Sequence, residues 1–275
     1  MNIIDSHQHF WMYTPAKQSW LTEDMAAIRK DFLPADLHII LKQNEVKGCI
    51  AVQAEASALE TDFLVRLAEK NNFIKAVVAW VDLCSVDITE KLAVYQSDKI
   101  IKGFREMLQN KEAGYMLQNS FKRGIAALSA ANYCFDLLIL PHQLQEAIIL
   151  VQQFPNQKFV INHLAKPNIK LAFITQWEKD INTIARYENV FCKISGLVTE
   201  ADHQLWKEQD FIPYLDIIVK AFGTKRILFG SDWPVCLLAA DYKKTLAIVS
   251  NYFTTFSFTE QEDFFGNNAI AFYKL

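Results

Sequence analysis

Eight short apolar segments recur along the 275-residue chain, and they constrain its fold more than any other feature. They cover residues 3–9, 48–55, 75–82, 100–107, 133–140, 158–163, 189–195 and 226–231. Most are continuously apolar rather than alternating, as parallel strands buried on both faces are. Helical periodicity fills most of the gaps. Pro34 suits the first position of a helix containing Leu37, Ile40 and Leu41. Ser57-Ala58-Leu59-Glu60 reads as a capping box that opens a helix running to about Asn71. Residues 145–154 read as a helix ending before Pro155, and residues 213–222 as one ending at Gly223, a good residue just past a helix end. Residues 241–253 are amphipathic. Eight strands alternating with helices in this length predict a single-domain (β/α)8 barrel over residues 1–275. At 51% hydrophobic residues, the chain can fill such a core. Residues 10–33 read as a long excursion after the first strand, and residues near 165–175 and 198–212 as further loops that shape a pocket.

The formal charge of −3, with no basic block, argues against nucleic acid or an anionic membrane as partner. No apolar run approaches the roughly 18 residues that span a bilayer. The first strand begins almost at Met1, so no signal peptide is read. The five cysteines, Cys49, Cys84, Cys134, Cys192 and Cys236, are odd in number and widely spaced. They read as reduced thiols, mostly small core residues, in a cytoplasmic protein. A small-molecule substrate is expected, and a homo-oligomer is compatible with the composition.

In such a barrel all strand C-termini face one mouth. His7 and His9 end the first strand two residues apart and share a face. His163 ends the sixth strand and Asp232 follows the eighth. These four N/O donors suit one divalent ion such as zinc. A single histidine there would read as structural. Asp232 is the candidate general base, able to take a proton from water and pass it to a leaving oxygen. The plainer reading makes it a turn cap within Ser231-Asp232-Trp233-Pro234. Arg105, near the fourth strand's end, can clamp a carboxylate or polarise a carbonyl, or form an ordinary salt bridge. Asp136, inside the apolar fifth strand, needs a partner, and Arg105 is the expected one. Glu55, Lys193 and His142 are candidate substrate contacts, Lys193 alternatively neutralising buried carboxylates. Trp11 and Trp233 are placed to stack on a ring or to wall the pocket. His203 lies in a loop near the entrance, and His38 reads as outer-helix packing.

At these residues the chain resembles the amidohydrolase superfamily, in the amidohydrolase-related branch that contains sugar-lactone hydrolases. The likeness runs through Ile4-Asp5-Ser6-His7-Gln8-His9-Phe10-Trp11, Gly103-Phe104-Arg105, Phe135-Asp136-Leu137-Leu138, Asn162-His163-Leu164-Ala165-Lys166-Pro167, Lys193-Ile194-Ser195-Gly196-Leu197 and Phe229-Gly230-Ser231-Asp232-Trp233-Pro234. Residues 266–273 look like the branch's closing helix. The resemblance implies a distorted (β/α)8 barrel and a hydrolytic water at its mouth. It implies His7, His9, His163 and Asp232 as the site's core, with His163, Asp232 and Arg105 in catalysis. Binuclear members carry a bridging Lys or Glu on the fourth strand and a His on the fifth. Arg105 and Asp136 stand there instead, which implies one metal, zinc first, or none. The implied reaction is opening of a sugar lactone. A one-metal decarboxylase and a pyrone-type dicarboxylate lactonase are the alternatives, and a non-catalytic sugar-acid binder is the reading from a different class.

Overall fold

The apolar runs pair as parallel neighbours in chain order, in the computed structural model that covers residues 1–275. The strands are β1 (Ile3–Gln8), β2 (Val46–Val52), β3 (Ile74–Ala79), β4 (Ile101–Glu106), β5 (Cys134–Leu137), β6 (Phe159–Ile161), β7 (Val190–Ile194) and β8 (Ile227–Phe229). Each is followed by a helix: α1 (Pro34–Gln43), α2 (Ala58–Lys70), α3 (Ile88–Val94), α4 (Asn119–Ala130), α5 (Leu144–Gln153), α6 (Thr175–Ile184), α7 (Ile212–Phe222) and α8 (Tyr242–Phe253). Two further helices, α9 (Phe258–Glu262) and α10 (Asn268–Tyr273), end the chain. The result is a distorted (β/α)8 barrel. Register shifts interrupt the β1–β2, β2–β3 and β3–β4 ladders.

β8 is too short to pair with β1 along a full ladder, so polar contacts finish the closure. The His9 amide donates to Trp233 O at 2.7 Å and the Asp232 amide to His7 O at 2.8 Å. The buried Asp5 carboxylate accepts from the Ser231 amide at 2.9 Å, Ser231 Oγ at 2.6 Å and Tyr242 Oη at 3.1 Å. These bonds fix the β8 turn, which carries Asp232, against β1, which carries the histidines.

The core has two parts. One lies between strands and helices. The smaller one fills the barrel interior with Ile4, Ile50, Val52, Ala76, Val78, Val160 and Leu228, and α10 closes it with Ala269, Phe272 and Tyr273.

The helix starts follow the expected signals with one difference. Ser57 caps α2 by accepting from the Leu59 amide at 3.2 Å. Glu60 does not turn back to Ser57. Its two oxygens accept the Ala54 and Glu55 amides, each at 2.8 Å, tying down the loop after β2. Those amides lie past the strand end and have no ladder partner, so the buried carboxyl satisfies them. No helix is long and apolar enough to cross a membrane, and all five cysteines are free.

Candidate active site at the mouth of the barrel

His7 and His9 leave β1 with their ring centroids 5.0 Å apart, and His163 reaches His7 from β6 at 4.4 Å. The strand that should end at His163 stops at Ile161. His163, Leu164, Ala165 and Lys166 then all take left-handed backbone, with φ of 53°, 56°, 58° and 52°. Such a run is costly for residues with a Cβ, and local bonds hold it. Asn162 Nδ2 donates to Asp136 at 2.9 Å, Trp177 Nε1 to Leu164 O at 2.7 Å, and Lys166 Nζ pairs with Glu200 at 3.2 Å. Asp232 is also left-handed, at φ 59°. Two glycines make room for the imidazoles. A Cβ on Gly196, itself at φ +64°, would lie 2.7 Å from His163 Nδ1, and one on Gly230 would lie 2.7 Å from His7 Cβ.

All three imidazoles aim Nε2 at one oxygen. His9, His163 and His7 place it 3.4, 3.8 and 3.9 Å from Asp232 Oδ1. The partner of His9 assigns its tautomer. His9 Nδ1 lies 2.7 Å from Val52 O, which can only accept, so the proton is on Nδ1 and Nε2 is a free lone pair. His163 Nδ1 meets Ser195 Oγ at 2.9 Å, a hydroxyl that can donate or accept and so orients the ring. Burial pushes His163 down to about 3, pushes His9 down, and with the Lys193 cation holds His7 well below its ordinary value. The three rings are neutral at pH 7. Burial pushes Asp232 up, but His163, the His9 contact and Lys166 outweigh it and keep the carboxyl below its usual range. Arg105 is lowered to about 10 by burial and stays charged. Its Nη1 lies 3.2 Å from His7 Nε2, and its Nη2 donates to Gln53 O and Gln53 Oε1.

Neutral imidazoles around an ionised carboxylate oxygen form a donor set of the kind that binds a divalent cation. His7, His163 and Asp232 bring their donor atoms within 4.8 Å of one another, and His9 Nε2 adds a fourth. The set fits one divalent ion. Asp136 is not open to a second. Contrary to expectation it does not pair with Arg105: Lys193 Nζ at 2.6 Å, Asn162 Nδ2 at 2.9 Å and Tyr273 Oη at 2.8 Å take its oxygens. Lys193 reaches it from β7, two strands round the barrel, whereas Arg105 on the adjacent β4 is turned toward Gln53.

The donors open into a cavity of about 580 Å³. His9, Arg105, His163 and Asp232 line it, with His7 just beneath. The five expected substrate contacts fare differently. Lys193 and Trp233 do not reach the cavity: Lys193 is fully buried on Asp136, and Trp233 packs edge-on against Phe10 and Phe32. Trp11 and Glu55 line a neighbouring cavity of about 240 Å³ between the β1 and β2 loops. His142 is exposed in an adjoining, more open hollow that shares Lys166, Thr199, Glu200 and His203 with this cavity. His203 does line the entrance. Sequence reasoning missed Trp20, Gln109, Lys166 and Glu200, which also line it. They come from aperiodic loops, where no pattern marks a wall residue. A cavity of about 510 Å³ at the opposite end of the strands, beside Lys158 and Tyr273, holds none of these donors.

The amidohydrolase family profile, Amidohydro_2, matches residues 4–275. The chain belongs to this family. The amidohydrolase is 34% identical to an L-fucono-1,5-lactonase of Burkholderia multivorans over 284 residues, covering 99% of this chain and 96% of the relative. It superposes on a crystal structure of a Burkholderia multivorans amidohydrolase with bound zinc at TM-score 0.96 and 35% identity, over 100% of both chains. A second crystal form of an amidohydrolase from that organism, with bound HEPES, gives TM-score 0.96 at 34% identity, again over both whole chains.

Proposed function

We propose that this amidohydrolase opens a sugar lactone to its aldonic acid. The observation that carries the reading is an ionised Asp232 in a cavity roomy enough for a sugar ring, with Arg105 and neutral imidazoles around it. The named lactonase relative, matched over nearly its whole length, supports the same chemistry.

The lactone carbonyl lies toward Arg105 and the histidines, which stabilise the charge that develops on its oxygen. Asp232 takes a proton from the attacking water as the new C–O bond forms. The bond from carbonyl carbon to ring oxygen then breaks, and Asp232 returns that proton to the ring oxygen. The product is an open hydroxy acid that releases its own carboxylic proton at neutral pH. A divalent ion, zinc first by the donor set, would be held by His7, His9, His163 and Asp232. Bound there it would supply Lewis-acid polarisation of the carbonyl. Val52 fixes the His9 tautomer that this requires, and Ser195 orients the His163 ring. Gln109, Lys166 and Glu200 stand where the sugar hydroxyls would face the wall.

A dicarboxylate substrate fits less well, because Lys166 is already paired with Glu200 and leaves Arg105 as the principal free cation in the cavity. The test is acid release from a panel of aldonolactones, L-fucono-, L-rhamnono-, L-galactono- and D-arabinono-lactone, followed with a pH indicator with and without chelator. Turnover above the spontaneous rate is expected with at least one. Silence across the panel, with zinc restored, would remove the lactonase reading, and carbon dioxide release from an aromatic acid would replace it.

A further inference from the structure

The catalytic mouth is joined to the far end of the chain. We propose that Tyr273, in the last turn of the C-terminal helix, is a positioning residue for His7 and His163, acting through Asp136. The inference builds on the reading of the mouth as a lactonase site.

Tyr273 is 1% exposed. α10 lies under the barrel at the strand N-termini, held there by Asn268 Nδ2, which donates to Thr224 O and Ile227 O at 2.8 Å each. From that side Phe272 and Tyr273 join the small interior core. The phenol then reaches up inside the barrel and donates to Asp136 Oδ1 at 2.8 Å.

Asp136 is where the connection divides. Its other oxygen, Oδ2, accepts Lys193 Nζ at 2.6 Å and Asn162 Nδ2 at 2.9 Å. Lys193 Nζ lies 3.4 Å from His7 Nδ1, the ring nitrogen that faces away from the mouth. Asn162 opens the left-handed turn that carries His163. One carboxylate therefore sets the support of two of the three imidazoles. Its orientation depends on both oxygens being held. Lys193 and Asn162 pull on one edge, and only Tyr273 holds the other. The Tyr273 ring also bounds Lys193 from below, with Nζ 5.3 Å from its centroid. Removing the hydroxyl leaves a buried carboxylate oxygen without a partner. The carboxylate then turns to share its charge between Lys193 and Asn162, and both move relative to the histidines they support.

An apolar plug needs no hydroxyl, and Phe272 beside it has none. A purely packing role would leave the reaction unchanged in Tyr273→Phe, because the ring stays. The experiment compares this variant with the wild type in two ways. Steady-state kinetics on the best lactone is expected to show kcat reduced roughly tenfold, the scale of one buried hydrogen bond, with KM within about twofold. Imidazole ¹⁵N spectra, recorded without substrate, are expected to show the His7 and His163 signals displaced and His9 unmoved. His9 is the internal control because its Nδ1 is held by Val52 and not by this network. Unchanged kcat with unmoved signals overturns the proposal. A fall in activity that tracks only a loss of folded protein, with His7 and His163 signals unmoved in what remains, overturns it as well. If the wild type hydrolyses no lactone, the spectra decide the proposal alone, and the failure belongs to the proposed substrate.

Discussion

Asp232 Oδ1 is the atom on which the site converges, and its neighbours make its role testable one residue at a time. Asp232→Asn keeps the shape and removes the charge and the proton acceptor. The expected loss in kcat is about 10²–10⁴-fold, the usual contribution of general acid–base catalysis. An unchanged rate in the lactone assay would remove Asp232 as base. Arg105→Lys tests geometry rather than charge. Lysine cannot reach both Gln53 oxygens and His7 Nε2, which the guanidinium fork does at once. We expect kcat/KM to fall by about 10- to 100-fold, with the fold intact by circular dichroism. That His7, His9, His163 and Asp232 would converge was legible because each stands where an apolar run turns polar. Lys193 and Trp233 occupy the same sequence setting, which left Lys193 open between substrate contact and neutralising a buried carboxylate, and the structure shows the second, on Asp136. A one-dimensional pattern does not separate a side chain that faces up the barrel from one that faces across it or out to the next layer. Asp136 shows the same limit: its need for a partner was clear, but the choice between Arg105 and Lys193 depended on distances across the interior.

Turns, more than strands, place the chemistry. β6 and β8 are three residues long each, and the functional residues lie just past them in left-handed backbone. The strands were legible as apolar runs to within a few residues. The left-handed run from His163 to Lys166 was not, because His-Leu-Ala-Lys carries no residue that prefers that conformation. Gly196→Ala is expected to be costly twice over. It places a Cβ at φ +64° and 2.7 Å from His163 Nδ1. A stability loss of about 1–3 kcal/mol in urea titration is expected, together with a lower rate in the lactone assay as His163 is displaced. At the β2–α2 junction, Glu60 is pushed by burial from its ordinary 4.5 up to about 8, against the two amide bonds that favour its charge. A carboxyl raised in the folded state contributes stability that is full below its unfolded pKa and is lost as pH rises through the folded one. Glu60→Gln does not titrate. The wild type should therefore lose melting temperature relative to this variant as pH rises from about 5 to about 8, and the gap should level off above that. A constant gap across the range would contradict the sign. The sequence signal at Ser57-Ala58-Leu59-Glu60 marked the helix start correctly but not the Glu60 contact, since the competing amides belong to the preceding loop.

The whole molecule depends on how a strand order of eight is closed. Every neighbouring pair from β1 to β8 has a ladder, whereas the seam to β1 has one bridge, Gln8 with Trp233 just past β8, two backbone bonds from that turn, a bond from Ser6 Oγ to Phe229 O and the side-chain bonds centred on Asp5. Architecture and strand number were readable from alternation alone, but this weak seam was not, because it depends on β8 ending early. The seam also aligns the site: Ser231 precedes Asp232, and Asp5 lies two residues before His7. Asp5→Ala would leave the Ser231 amide, Ser231 Oγ and Tyr242 Oη buried without their acceptor. Losing a buried, hydrogen-bonded carboxylate in this way costs about 3–5 kcal/mol. Asp5→Asn keeps one oxygen and should cost less, about 1–2 kcal/mol. Urea titration of both variants checks the order. A cost confined to stability would mean that the seam only holds the barrel shut. The geometry predicts more: Asp5→Asn, folded at low urea, should still lose kcat, because Asp232 is held to β1 through the same turn. Full activity in folded Asp5→Asn would show that the two backbone bonds, Asp232 amide to His7 O and His9 amide to Trp233 O, are enough to align the base.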